Sequence, residues 1–280
     1  MGWKVKKQPS LFKRLYHTTE ELTSKQNQIK SMANMKLSKV NLQHQSSHLP
    51  FYFREDSVGD TGVIQQIFHY QDYNVSHWQQ GIQLLAYHQS MSQYSPSLII
   101  DAGANIGASA VYFSQIFSHS LVFAIEPEID NFNLLKLNTE GMNVVHFNGA
   151  ISNIDGELAL EDPGHSDWGF MTKPIDSSEP ESTKGIVKSI CPTSILALPE
   201  TKNTNPLILK IDIEGGEDAL FEGDTSWLSK FPLVIIELHD WMLPFSGSSR
   251  NFIRAIGQHD FDFIHRGENI FLFNRSILNR

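Results

Sequence analysis

A chain of 280 residues, 40% hydrophobic and 19% charged, has enough apolar material for one α/β domain with an extension or for two small domains, and it excludes a disordered protein. The formal net charge of −9 argues against a surface built for nucleic acid. One cysteine, Cys191, excludes an internal disulfide and a zinc site built on paired cysteines. The apolar runs are too short to cross a bilayer and "MGWKVKKQPS" lacks a secretion signal's apolar stretch, so the expected setting is the cytoplasm, away from membranes.

Residues 1–50 are polar and are expected to form an arm or a helix. "TTEELTSKQNQIKSM" offers a helix started by Thr18 or Thr19, without a core pattern to support it. Lys4, Lys6, Lys7, Lys13 and Arg14 stand without an acid among them, which suits a solvated arm, or a docking patch for an anionic surface. From residue 51 to 95 a helical extension is expected. Val63, Ile64, Ile67 and Phe68 fall at helical spacing, and a second helix runs from Val75 to about Tyr94. This segment is suited to covering a pocket or to joining two copies in a homodimer.

After Pro96 strands and helices alternate, in a domain taken as 96–280. Strands are expected at 98–101, 121–125, 143–147, 207–212, 233–238, 261–264 and 270–273, with helices at 107–118, 128–140, 215–223 and 248–258. Short, nearly continuous apolar strands such as "LVIIEL" belong in a sheet covered on both faces, so the fold class is α/β, doubly wound and mostly parallel. The "HRGE" turn makes the last two strands a hairpin, one of them antiparallel to the rest. Residues 174–206 read as loop.

In such a sheet, ligands sit beyond the carboxyl ends of the strands. Strand ends here carry Asp101, Glu126, then Lys210, Asp212 and Glu214 in "LKIDIEGGE", and Glu237, His239 and Asp240 in "IIELHDW". Gly103 and Gly107 in "DAGANIG" permit a sharp turn and close approach of backbone to a ligand. Glu126, at the next strand end, is placed to accept hydrogen bonds from two ribose hydroxyls. A dinucleotide would require a glycine where Asn105 stands, and Asp101 would repel its pyrophosphate. The same acid suits an ammonium or a sulfonium, so the charge logic selects S-adenosylmethionine over NAD.

The block "DAGANIG", "IEP", "KIDIEGGE" and "IELHD", preceded by "FREDSVGDTGVIQQIFHYQDY", resembles the FkbM family of methyltransferases over residues 51 to about 275. The resemblance implies a class I methyltransferase fold, Rossmann-like, with S-adenosylmethionine as donor and a hydroxyl of a small natural product or sugar as acceptor. It places Asp101, Ala102, Gly103, Ala104, Asn105 and Gly107 around the methionine part, Glu126 and Pro127 at the ribose, and Ala150 and Ile151 at the adenine.

Methyl transfer to an alcohol requires alignment and removal of a proton, and Asp212 and His239 are the candidate catalytic residues. Lys210, on the same side of its strand as Asp212, needs a carboxylate partner to be buried. Mg²⁺ held by Asp212 with Glu237 or Asp240 is the rival account; a route without metal is preferred because His239 offers a base. Trp168 and Phe170 stack on adenine or acceptor, or cover a sheet edge. Trp241, Met242 and Phe245 form an apolar loop expected to wall the acceptor pocket. A methyltransferase acting on RNA or protein, and a non-catalytic S-adenosylmethionine-binding protein, are the alternatives.

Overall fold

In the computed structural model, which describes residues 3–7, 35–44, 47–162, 170–173, 175, 183–242 and 244–279, the chain opens with a sheet. Strands β1 (Lys4–Lys7), β2 (Leu37–His44) and β3 (Ser47–Arg54) form an antiparallel meander. Val40, Leu42 and His44, spaced by two, turn one face of β2 inward, and Trp3, Phe51 and Phe53 are buried with them. The expected polar arm of residues 1–50 is corrected accordingly. Its sparse apolar positions follow a strand's period, and the boundary drawn at residue 50 falls inside β3. The helix expected from Thr18 or Thr19 lies outside the described residues, as do Lys13 and Arg14.

Helix α1 (Val58–Ile64) is capped by the Ser57 hydroxyl, which accepts from Asp60 N–H at 3.1 Å. It continues as a π-helical turn, Gln65–His69, and buries Ile64, Ile67 and Phe68. Helix α2 (Gln79–Met91) stops short of Pro96.

The domain that follows contains β4 (Ser97–Ala102), α3 (Ala108–Ile116), β5 (Ser120–Glu126), α4 (Ile129–Asn138) and β6 (Val144–Ile151). Strands β7 (Gly156–Glu161), β8 (Met171–Lys173) and β9 (Thr183–Ile190) come next, then α5 (Pro192–Ala197), β10 (Asn205–Ile211), α6 (Glu217–Leu220) and β11 (Leu233–Glu237). Helix α7 (Arg250–Ile256), strands β12 (Phe261–Arg266) and β13 (Asn269–Asn274) and helix α8 (Arg275–Leu278) complete it.

The sheet order is β12-β13-β11-β10-β4-β5-β6-β9-β7-β8. Neighbours from β11 through β9 pair in parallel, and β13 is antiparallel to both β11 and β12, as the hairpin requires. This is the expected doubly wound sheet. Residues 174–206 are corrected from loop to a segment containing β9 and α5. β9 pairs with the end of β6 through Gly149–Lys188, Ala150–Ser189 and Ile151–Ile190, which extends β6 past its expected stop.

Period two splits the central strands cleanly. Ile99, Val122, Ala124, Ile208 and Ile235 face α2, α3 and α4, while Leu98, Ile100, Phe123, Leu209, Ile211 and Ile236 face Ile195, Leu220, Trp227 and Phe252. Asn138, at the end of α4, joins three segments. Its Nδ2 donates to Ile106 O (2.8 Å) and Tyr52 O (2.9 Å), and its Oδ1 accepts from Tyr52 N–H (2.7 Å). The chain leaves β4 toward β5 and β6 and later returns to β10 on its other flank. The switch point therefore lies between the ends of β4 and β10. Among the described residues, no helix is long and apolar enough to cross a membrane.

Candidate active site

The turn after β4 is built on backbone that only special residues adopt. Gly103 has φ +76°, Asn105 φ +48° and Gly107 φ +90°. A Cβ on Gly103 would stand 1.7 Å from Asp212 O, so the loops after β4 and β10 lie in backbone contact. Gly107 caps α3, and a Cβ there would press on Leu135 of α4. Its task is helix packing.

Gly103, Asn105, Glu126, Pro127, Ala150, Ile151 and Asp212 line a single cleft at the carboxyl edge of the sheet. Seven expected site residues thus converge. Asp101, Ala102, Ala104 and Gly107 are buried and do not line it. The cleft also takes Ile125, Asn131, Phe170, Thr172, Ile213 and Glu214. Trp168 lies outside the described residues. Trp241 is 63% exposed and Phe245 fully so, and neither lines the cleft that the acceptor wall was expected to form.

Glu126 is 4% exposed, and its oxygens accept from Asn105 N–H and Glu128 N–H, each at 2.9 Å. Burial pushes its carboxyl up to about 7, against the pull of those two N–H groups. Glu128 in turn caps α4, accepting from Asn131 N–H at 2.8 Å, and Asn131 Oδ1 accepts from Arg54 at 2.8 Å. Arg54 is itself fixed by Asp60 at 2.6 Å, which brings the N-terminal segment to the cleft's rim. Asn105 Oδ1 is a buried acceptor with no partner among the described residues.

Asp101 performs a different task from the expected ligand contact. It is fully buried, directly opposite Lys210 in the β4–β10 register, and its Oδ1 lies 3.4 Å from Lys210 Nζ. Ser109 donates to its other oxygen at 2.6 Å. Lys210 Nζ also donates to Gly103 O (2.6 Å) and Ala102 O (3.3 Å) and pairs with Asp212 Oδ2 (3.3 Å). Burial would lower the ammonium's pKa, but Asp212, Tyr73 and Asp101 together hold it above the usual lysine range. One lysine thus fixes both loops of the switch point.

His239 is 1% exposed and stands behind the cleft wall. Its Nδ1 is 2.6 Å from Glu217 Oε1, and since a carboxylate accepts, Nδ1–H donates. Nε2 lies 3.4 Å from Glu214 Oε2, 3.6 Å from Glu237 Oε1 and 3.8 Å from Asp212 Oδ1. Burial lowers the imidazole's pKa, but these carboxylates outweigh it and push it up to about 9. While Nε2 holds a proton the ring cannot take one from an acceptor; when neutral, the ring is kept as the Nδ1–H form by Glu217 and Nε2 is free. Asp212, Glu214 and His239 each offer one ligand atom toward a common point.

Glu217 escapes sequence reading because it lies beyond the strand end, where a position-by-position scan stops. The signal is Gly215–Gly216, with Glu214 at φ +51° and Gly215 at φ +90°, which folds Glu217 back under His239. Thr172 enters through β8, whose short strand carries no periodic signal, while Phe170, named in the sequence as an aromatic for adenine or acceptor, lines the cleft just before that strand.

The family model for the methyltransferase FkbM domain matches residues 101–265. Hexuronic acid methyltransferase AglP of Haloferax volcanii is 28% identical over 145 residues, 50% of this chain and 54% of its own length. Methyltransferase 1 of Beauveria bassiana is 30% identical over 166 residues, 51% of this chain and 65% of its own. The chain thus spans between 54% and 65% of these curated relatives. A methyltransferase structure from Geobacter sulfurreducens superimposes with a TM-score of 0.35 at 14% identity, over 79% of this chain and 90% of that one.

Proposed function

The chain belongs to the methyltransferase FkbM domain family, and from that premise we propose an S-adenosylmethionine-dependent O-methyltransferase that acts on a hydroxyl of a small molecule, a natural product or a sugar. The observation that carries this reading is the pairing of a buried Glu126 carboxyl at the end of β5 with a glycine turn and Asp212 across one cleft. The name of the Haloferax relative supports a sugar-type acceptor.

The residues fit the donor. Gly103 lines the cleft with no side chain of its own, Asn105 Oδ1 is an acceptor without a partner among the described residues, and Glu126 has lone pairs left for two ribose hydroxyls. Pro127, Ala150 and Ile151 supply an apolar edge for adenine. When bound, the donor supplies an electrophilic methyl group on a sulfonium. The chain's own residues do the rest. Lys210 holds the loops after β4 and β10 in one geometry, and such alignment is worth as much as ~7–11 kcal/mol of the barrier. Asp212, 28% exposed at its side chain, faces the cleft and receives the acceptor's proton, a contribution of roughly a hundred- to ten-thousandfold. His239, tied to Glu217, holds Asp212 and Glu214 in place.

The test is donor binding against pH. Glu126 is uncharged below about 7 and charged above it, and ribose hydroxyls donate to the charged form. Affinity for S-adenosylhomocysteine, measured by calorimetry, should therefore rise as pH rises through that value. The free protein should move the other way, losing this group's stabilisation as pH rises from about 4.5, the ordinary value, to about 7. Glu126→Gln should weaken binding by about a hundredfold, two charge-assisted hydrogen bonds being worth about 1.5–3 kcal/mol each, and should flatten the pH profile. Unchanged affinity in the variant would remove the donor from this cleft.

A further inference from the structure

We propose that Asp212, Glu214 and His239 Nε2 form a binding site for a divalent transition-metal ion at the acceptor end of the cleft. This deepens the reading above and rests on it for the ion's role, not for its binding.

Three ligand atoms, one from each residue, lie within 4.8 Å of one another. Ligands bound at ~2.1 Å to one ion stand roughly 3–3.5 Å apart, so small side-chain rotations complete the site. The cluster is more than a group of acids, because its central ring is 1% exposed and aimed. Nδ1–H of His239 is spent on Glu217, itself 0% exposed, which leaves Nε2 directed at the carboxylates. Metal-binding histidines are oriented by this kind of second partner, a carboxylate on the other ring nitrogen. Glu214 Oε2 lies 3.4 Å from Nε2 and, among the described residues, accepts no hydrogen bond, so a metal ion can take the place of the Nε2 proton between them.

The charge balance agrees. Asp101, Asp212, Glu214, Glu217 and Glu237 surround two cationic side chains, Lys210 and His239. A divalent ion on Nε2 takes the place of that nitrogen's proton, so binding releases a proton and still adds one net positive charge to this acidic cluster. An imidazole beside two carboxylates suits Mn²⁺, Fe²⁺ or Zn²⁺ better than Mg²⁺ or Ca²⁺, which favour oxygen throughout. There the ion would hold the acceptor oxygen beside Asp212 and acidify its hydroxyl.

The probe is MnCl₂ added to chelator-stripped full-length protein, with free Mn²⁺ followed by its paramagnetic resonance signal. One equivalent should leave the free pool. Glu214→Gln and His239→Gln should each weaken binding at least ~10-fold, and Glu217→Gln by about 10–100-fold through ring orientation. Asp240→Asn, on the exposed loop beyond the cluster, should bind as the parent does. Calorimetry with S-adenosylhomocysteine on each variant reports whether the fold and donor half persist. Donor binding without loss of free Mn²⁺ overturns the metal site and leaves the donor reading intact. Mn²⁺ binding without donor affinity does the reverse. Binding undiminished in both Glu214→Gln and His239→Gln also overturns it.

Discussion

Replacing Lys210 with methionine is expected to lower the free energy of unfolding by about 3–5 kcal/mol, the range for removing one partner of a buried ion pair. Lys210 is 2% exposed in a strand flanked on both sides by parallel neighbours. Its ammonium is the counter-charge within 3.4 Å of fully buried Asp101, whose Oδ1 has no hydrogen bond among the described residues. Burial already raises the Asp101 carboxyl above its ordinary range, and Lys210 is the larger of the forces opposing that rise. Without the lysine, Asp101 must take up a proton or strain the strand. Donor affinity should fall too, since the Gly103 carbonyl loses its 2.6 Å donor. Urea unfolding checks the first effect. Lys210→Met combined with Asp101→Asn should recover most of the loss, because the uncompensated charge is then gone. A single variant as stable as the parent would mean that the pair does not hold the sheet end.

Gly103→Ala is the second large effect, on binding more than on stability. The methyl carbon would sit 1.7 Å from Asp212 O, a backbone atom that cannot swing aside, at a φ of +76°. The two loops must part, and the cleft they share loses its floor. Affinity for S-adenosylhomocysteine should drop at least ~100-fold, equivalent to about 2.7 kcal/mol. Gly141→Ala is the control. At φ +75° a Cβ there meets nothing within 4 Å, so the variant should cost about 1–2 kcal/mol of stability and leave binding alone. Calorimetry on both variants separates backbone strain from the loop contact, and equal losses of affinity would refute the contact's role.

The centre of the sheet is legible in the sequence because apolar strands buried on both faces leave an unbroken signature. "SLIIDA" and "LVIIE" are buried almost throughout. The cleft is legible for the same reason, since strands this regular end at defined points and the residues at those points converge. The outer flank β7 to β9 is not, because "GELALE" and "TKGIVKSI" mix lysine and glutamate into faces that stay wet. Thr172 enters the cleft through that hidden flank, and only the aromatic Phe170 beside it is legible as a cleft residue. The N-terminal strands hide differently, their alternation in "LSKVNLQH" carrying polar residues on every second position. Asp101 and His239 show the limit of reading residue types: both stand at strand ends, yet their roles depend on Lys210 and Glu217, partners that only the folded register brings opposite them.

The three bonds of Asn138 determine how the polypeptide can be divided. Because one amide grips Tyr52 and Ile106 together, the meander is welded to the turn after β4 and cannot be trimmed away as an appendage. A shortened version starting at residue 96 would uncover Phe113, Val111 and Leu134, now sealed beneath Phe51, Phe68 and Leu42 in one cluster. Such material should bind a hydrophobic dye and precipitate on expression, whereas the entire chain should do neither.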